Sequence, residues 1–189
     1  GVILELAPSL QPLAGEAVLD CTGMVLLPGA IDPHTHLDLE CGPGLTTADD
    51  FLTGTRSALA GGTTTVIDFA TQFHGQTLAE GLAHWHDKAD GRAVIDYAFH
   101  LAMTQWRPEF AEQLAEMVAA GVTSFKLYLG YLHTMMVEDD EVLAALTASA
   151  ALGAPIGFHC ENGRIIDALK ARELAAGHTG AYYHQVVHP

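Results

Sequence analysis

His34 and His36 stand one residue apart at the end of the apolar run LLPGAIDPHTHLD (26–38), with Asp32 just ahead of them. Residues i and i+2 of a β-strand point to the same side, so the two imidazoles project together. At that separation they can bind one metal ion, or they are simply two polar residues closing a strand. Lys126 lies inside the apolar stretch SFKLYLG (124–130), where an unpaired ammonium is costly to bury. Its ordinary explanation is a side chain that snorkels to water or meets a carboxylate. His159, in GFHCENG, and His100, in YAFHLAM, each close another apolar stretch, and His100 is read as a hydrogen-bonded residue with no chemical role. Each position alone has a structural explanation. Together, His34, His36, Lys126 and His159 would converge on one face if their strands formed one barrel.

The elements that must carry them alternate regularly. The stretches 24–36, 63–70, 93–103, 122–130 and 154–160 are apolar and rich in β-branched or aromatic residues, which predicts strands. Between and after them, 47–62, 77–89, 109–121, 139–153 and 162–177 carry helical spacing, several with acids in the first turn or glycine at the end. Five β-α units imply a parallel sheet covered by helices, either doubly wound or part of a (β/α)8 barrel. No G-x-G-x-x-G follows a strand, so dinucleotide binding is not favoured. In a barrel the strand C-termini form the active face. Residues 1–25 are turn-rich and expected to form part of a small β accessory domain, with the barrel portion over 26–189. A complete barrel takes about 250 residues, so a barrel of this kind would continue past Pro189.

Composition narrows the class. Of the 189 residues, 49% are apolar and 16% charged, which describes a globular chain. A formal charge of -15 leaves nothing to neutralise phosphates, so nucleic acid is not an expected partner. No apolar run reaches the ~20 residues of a membrane span, and the N-terminus lacks the basic region of a signal peptide. The first residue is not Met, so the true start is expected upstream. Cys21, Cys41 and Cys160 are odd in number and not spaced as C-x-x-C, which suits a reducing, cytoplasmic compartment.

PGAIDPHTHLD, ADDFLTGTRSALAGGTTTVIDFA, VIDYAFHL, SFKLYLGY, VEDDEVLAAL, FHCENG and GHTGAYYH, in this order and spacing, resemble the hydantoinase/dihydropyrimidinase branch of the cyclic amidohydrolases. The resemblance runs from about Gly1 to Pro189. It implies a (β/α)8 TIM-type barrel holding two divalent metal ions, usually zinc. His34 and His36 would ligate the more buried ion and His159 the other. Lys126 would be carboxylated by CO2, its carbamate bridging both ions, and Tyr131 would polarise the substrate carbonyl. The implied reaction is hydrolytic opening of a cyclic amide or imide, such as a dihydropyrimidine or 5-substituted hydantoin, by a metal-bridging hydroxide. A homotetramer is implied for the full-length protein. The alternatives are a non-catalytic dihydropyrimidinase-like scaffold, which would lose ligand positions that are intact here, and an allantoinase- or deacetylase-type amidohydrolase.

Three further expectations concern the surroundings. Asp32 is read as a structural group without a ligand role. Met135 and Met136 belong to a loop over the site, with core packing preferred to pocket shaping. Cys160 is expected to be a buried, inert thiol, and Asn162 with Gly163 to begin the next helix beneath the site. The sequence also departs from its relatives. LDLECGPG lacks the arginine of dihydroorotases, and YYHQVVHP stands where many relatives have Ser-Arg-Pro. The resemblance further implies a metal-binding histidine and a catalytic aspartate from later strands. The 189 residues alone are therefore expected to be inactive, and to aggregate through open sheet edges.

Overall fold

A computed structural model describes residues 2–189. Strand β1 (Ala30–Thr35) is followed by a small antiparallel hairpin, β2 (Glu40–Gly42) and β3 (Leu45–Thr46), and helix α1 (Phe51–Ala60). The chain then alternates through β4 (Thr63–Gln72), α2 (Leu78–Ala89), β5 (Asp96–Met103), α3 (Phe110–Ala119), β6 (Phe125–Tyr128), α4 (Asp139–Ala151), β7 (Ile156–His159) and α5 (Gly163–Ala175). A short α6 (Tyr182–Val187) closes it.

The main sheet has five parallel strands in the order β1-β4-β5-β6-β7. Strand order follows chain order throughout, with no reversal. A doubly wound sheet reverses direction at its switch point; a barrel wall does not. The five predicted units are therefore consecutive staves, and every crossover is a helix, as parallel pairing requires.

Local chemistry sets the helix boundaries. Asp50 caps α1 and Thr77 caps α2, each in a reciprocal capping box with Thr53 and Glu80. Asn162 caps α5 by accepting from the Ile165 N–H at 3.0 Å, where a helix start was expected. Helix α2 lies so close to β4 that a Cβ on Gly81 would sit 2.9 Å from the Gln72 Cα.

Period-two alternation divides the sheet into two faces. Phe99, Leu101, Met103, Phe125 and Leu127 point to the helices and pack with Phe51, Trp85, Phe110 and Leu114 in the main core. Residues of the other parity face the barrel interior, where Phe69, Ala102 and Tyr128 form a separate small cluster with Met135 against it.

Two expectations need correction. The first strand begins at Ala30 rather than residue 24, and Val25, Leu26 and Leu27 are exposed. β1 has a neighbour on one side only. That neighbour, β4, starts at Thr63, opposite Ala30, so the residues upstream have no ladder to join. Cys160 is exposed, not buried, because it lies just past the end of β7, beyond the helix layer, with its Sγ turned to the Phe158 carbonyl at 3.6 Å. Residues 2–25 form turns and no regular strand or helix, and Gly1 of the expected accessory module lies outside the described residues.

Candidate metal centre

A cavity of about 850 Å³ opens at the C-terminal ends of the strands, and His34, His36, Lys126, Tyr131 and His159 all line it. His34 and His36 come from β1 and the residue just after it, Lys126 from β6, and His159 from β7. Sheet curvature brings residues of the two edge strands to one space.

The histidine pair sits on a platform. The two imidazole centroids are 5.2 Å apart, edge to face, and each ring packs on Phe69, at 4.6 Å and 4.9 Å. Asp32 accepts from the His34 N–H at 3.1 Å, the structural role expected of it. Behind the pair, Asp68 is fully buried on the helix side of β4. Its carboxylate accepts from Thr35 Oγ1 at 2.7 Å, from the Leu37 N–H at 2.8 Å and from Trp85 Nε1 at 3.2 Å. Burial raises the Asp68 pKa, and these three bonds counter that rise. Thr35 and Leu37 flank His36, so Asp68 fixes the segment from which both imidazoles project. Asp68 and Phe69 are functional neighbours that the sequence reading passed over. The available signal was a lone carboxylate in the β-branched run TTTVIDFA.

Lys126 is 7% exposed and makes no hydrogen bond or ion pair among the described residues. Its Nζ lies over the rings of Phe69 and Tyr128, at 4.3 Å and 5.0 Å. The snorkelling explanation therefore fails. Desolvation lowers its pKa toward the neutral amine. Burial, aided by the Lys126 charge and by His34, pulls His36 down to about 4, and burial lowers His34 as well. Both imidazoles are thus neutral at neutral pH, with lone pairs available to a metal. His36 Nδ1 is buried and has no hydrogen-bond partner.

His159 Nε2 meets Glu161 Oε2 at 2.6 Å, and this bond lowers the Glu161 pKa. The Tyr131 ring lies 4.8 Å from the His159 ring. Tyr131 has φ of 62°, a left-handed conformation that is strained for a bulky side chain. Its carbonyl collects the N–H groups of Thr134, Met135 and Met136 at 3.0–3.3 Å, which holds the strained turn in place. Met135 lines the cavity and packs on its floor, so it serves both purposes weighed for it. His100 is fully satisfied by Ser124 Oγ at 2.5 Å and the Pro33 carbonyl at 3.0 Å, in keeping with its lack of an assigned role.

Among the described residues no three His, Cys, Asp or Glu side chains meet as a ready-made ligand cluster. The donor set nevertheless fits metal. It comprises neutral imidazoles, an orphaned ring nitrogen and an unpaired buried amine, all lining one cavity.

The Amidohydrolase family model matches residues 25–186. The chain belongs to that family. It is 42% identical over 177 residues to a D-hydantoinase of Geobacillus stearothermophilus, covering 93% of this chain and 37% of that protein. It is also 42% identical over 193 residues to Dihydropyrimidinase 1 of Caenorhabditis elegans, covering 100% of this chain and 39% of the relative. Among solved structures, D-hydantoinase from Bacillus sp. AR9 superposes with a TM-score of 0.90 at 42% identity, covering 93% of this chain and 38% of that one. L-Hydantoinase (dihydropyrimidinase) from Arthrobacter aurescens gives 0.68 at 27% identity, over 86% and 36%. This amidohydrolase chain thus spans about two fifths of its relatives' length, and its curled sheet is part of a TIM barrel.

Proposed function

We propose that the full-length protein hydrolyses a cyclic amide or imide ring, of the dihydropyrimidine or 5-substituted hydantoin type. The observation that carries this is Lys126, a buried, unpaired amine sharing one cavity with His34, His36 and His159. Members of the amidohydrolase family are generally dinuclear metal enzymes. In the proposed centre His34 and His36 would hold one ion and His159 the other, carboxylated Lys126 would contribute its carbamate to both, and zinc is the proposed metal. The neutral Nζ lone pair adds to the carbon of CO2 and the nitrogen releases one proton, leaving an anionic carbamate. When bound, the metal pair supplies Lewis-acid polarisation and acidifies water.

The other steps belong to the chain's own groups. Burial and the nearby Glu161 carboxylate raise the Tyr131 pKa, so its hydroxyl is protonated at neutral pH. It is the proposed donor to the oxygen that gains charge as the ring amide carbon is attacked. Phe69, Tyr128 and Met135 form an apolar floor that excludes water beneath a flat ring. Residues 1–25 are proposed as part of an accessory β module, and the full-length protein as a cytoplasmic homotetramer. No helix among the described residues is long and apolar enough to cross a membrane.

The test is metal analysis and ring opening on the full-length protein as isolated. We expect about two divalent ions per chain, loss of dihydrouracil or hydantoin opening after chelation, and recovery with zinc. Full activity in a metal-free sample would sink the proposal.

A further inference from the structure

The hairpin β2–β3 follows the histidine pair directly, and Leu39, Glu40, Cys41 and Gly42 form one wall of the cavity. Its own backbone gives it little rigidity. It has only five residues in strand, and Gly42 at the end of β2 and Gly44 in the turn take φ of 150° and 72°. Its entry residue Asp38 is left-handed, with φ of 52°. A short two-stranded ribbon of this kind is marginal in water without outside support.

That support comes from helix α2. The Lys88 side chain is 11% exposed. Its Nζ donates to the Asp38 carbonyl at 2.6 Å and to Glu40 Oε2 at 2.7 Å, and lies 4.2 Å from the Trp85 ring centre. The other Glu40 oxygen meets His84 Nε2 at 3.0 Å. Lys88 thus grips the strained entry residue by its carbonyl and the cavity wall by its carboxylate. Trp85, between His84 and Lys88 on the same helix, donates to Asp68 beneath the histidine pair. One helix turn therefore secures the wall of the cavity and the segment carrying its imidazoles. These contacts to the hairpin touch neither the proposed metal ligands nor Tyr131.

We infer that Lys88, with Glu40, is a positioning residue that holds the hairpin as a fixed cavity wall, and so sets substrate affinity without taking part in ring opening. The base of the hairpin supplies a direct reporter, since the Leu39 N–H donates to Thr47 Oγ1 and the Thr47 N–H to the Leu39 carbonyl, both at 2.9 Å. A freed hairpin opens these bonds and its amides exchange faster.

The experiment compares the full-length parent with Lys88→Met, Lys88→Arg and Glu40→Gln. Hydrogen–deuterium exchange over residues 38–47 is read by peptide mass spectrometry. Breaking a charge-assisted bond of this burial should speed exchange of these amides in Lys88→Met by about tenfold. Ring-opening KM should rise by about the same factor while kcat and metal content stay within about twofold. Lys88→Arg should restore most of both, and Glu40→Gln should act in the direction of Lys88→Met. Unchanged exchange over residues 38–47 in both Lys88→Met and Glu40→Gln would overturn the inference, as would a loss confined to kcat. If Lys88→Met does not fold, Glu40→Gln decides alone, because Glu40 lies on the partly exposed hairpin. The KM arm rests on the proposed function, whereas the exchange arm does not. A parent that opens no cyclic amide would sink that function and leave the hairpin result standing.

Discussion

The two walls of the candidate centre are built by opposite means. On one side His34 and His36 project from β1, an edge strand whose residues are mostly exposed and which pairs only with β4. Phe69 supports only one side of their rings, so hydrogen bonds fix the segment that carries them, through Asp68, Thr35 and the Leu37 N–H. On the other side Lys126 belongs to β6, buried at all four positions, and packing alone holds it with no polar partner. An edge position tolerates polar side chains but needs a brace; an interior position is rigid but must carry an unpaired amine. The first wall should therefore fail by losing geometry and the second by losing chemistry.

The largest expected effect is on the packed wall. Lys126→Ala in the full-length protein should cut ring opening by about a thousandfold or more, because the group proposed to bridge the metal ions is removed outright. Small carboxylic acids should restore part of the rate, and assays with and without added propionate will check this. Full retention of rate would mean that the amine is structural.

On the braced wall, Asp68→Asn should weaken metal retention by about 10- to 100-fold, read from chelator-stripping rates. The amide turns a donor toward groups that already donate, so stability should fall by about 2 kcal/mol in urea unfolding. Thr35→Val removes only one of the Asp68 bonds and should cost about 1 kcal/mol, with a smaller effect on metal retention. If the Asp68 and Thr35 variants lost stability but kept metal as tightly as the parent, the two walls would not differ in the way described.

The smallest effect is a pH dependence. The folded pKa of Asp68 is raised above its ordinary value, so the folded state holds this proton more readily than the unfolded chain. The group's contribution to stability is then fully present below the ordinary carboxylate pKa, and is lost as pH rises through the raised value. The stability gap between parent and Asp68→Asn should accordingly narrow as pH rises from acid toward neutrality. Urea unfolding at several pH values measures it, and a gap that widened would contradict the assigned shift.

The contrast between the walls also explains what the sequence could tell. Strand ends were legible because apolar runs closing in His or carrying Lys are unusual on chemical grounds alone. His34, His36, Lys126 and His159 share one cavity in the structure as the resemblance implied. Asp68 was not legible, because its partners Trp85 and Thr35 are 17 and 33 residues away and nothing in TTTVIDFA announces them. The hairpin over 40–46 was missed because CGPG reads only as a turn, and its support comes from Lys88, 48 residues beyond Glu40. Cys160 was misplaced by applying strand alternation one residue past the strand's end.

Strand order that copies chain order has a consequence for how the molecule comes into being. Among the described strands, each stave from β4 to β7 docks against the one made just before it. Loop closures stay short, which favours rapid formation of each pairing. These five staves can therefore form in the direction of synthesis, the one that bears the histidine pair preceding the other four. β4 and α2, which secure that pair, follow it at once.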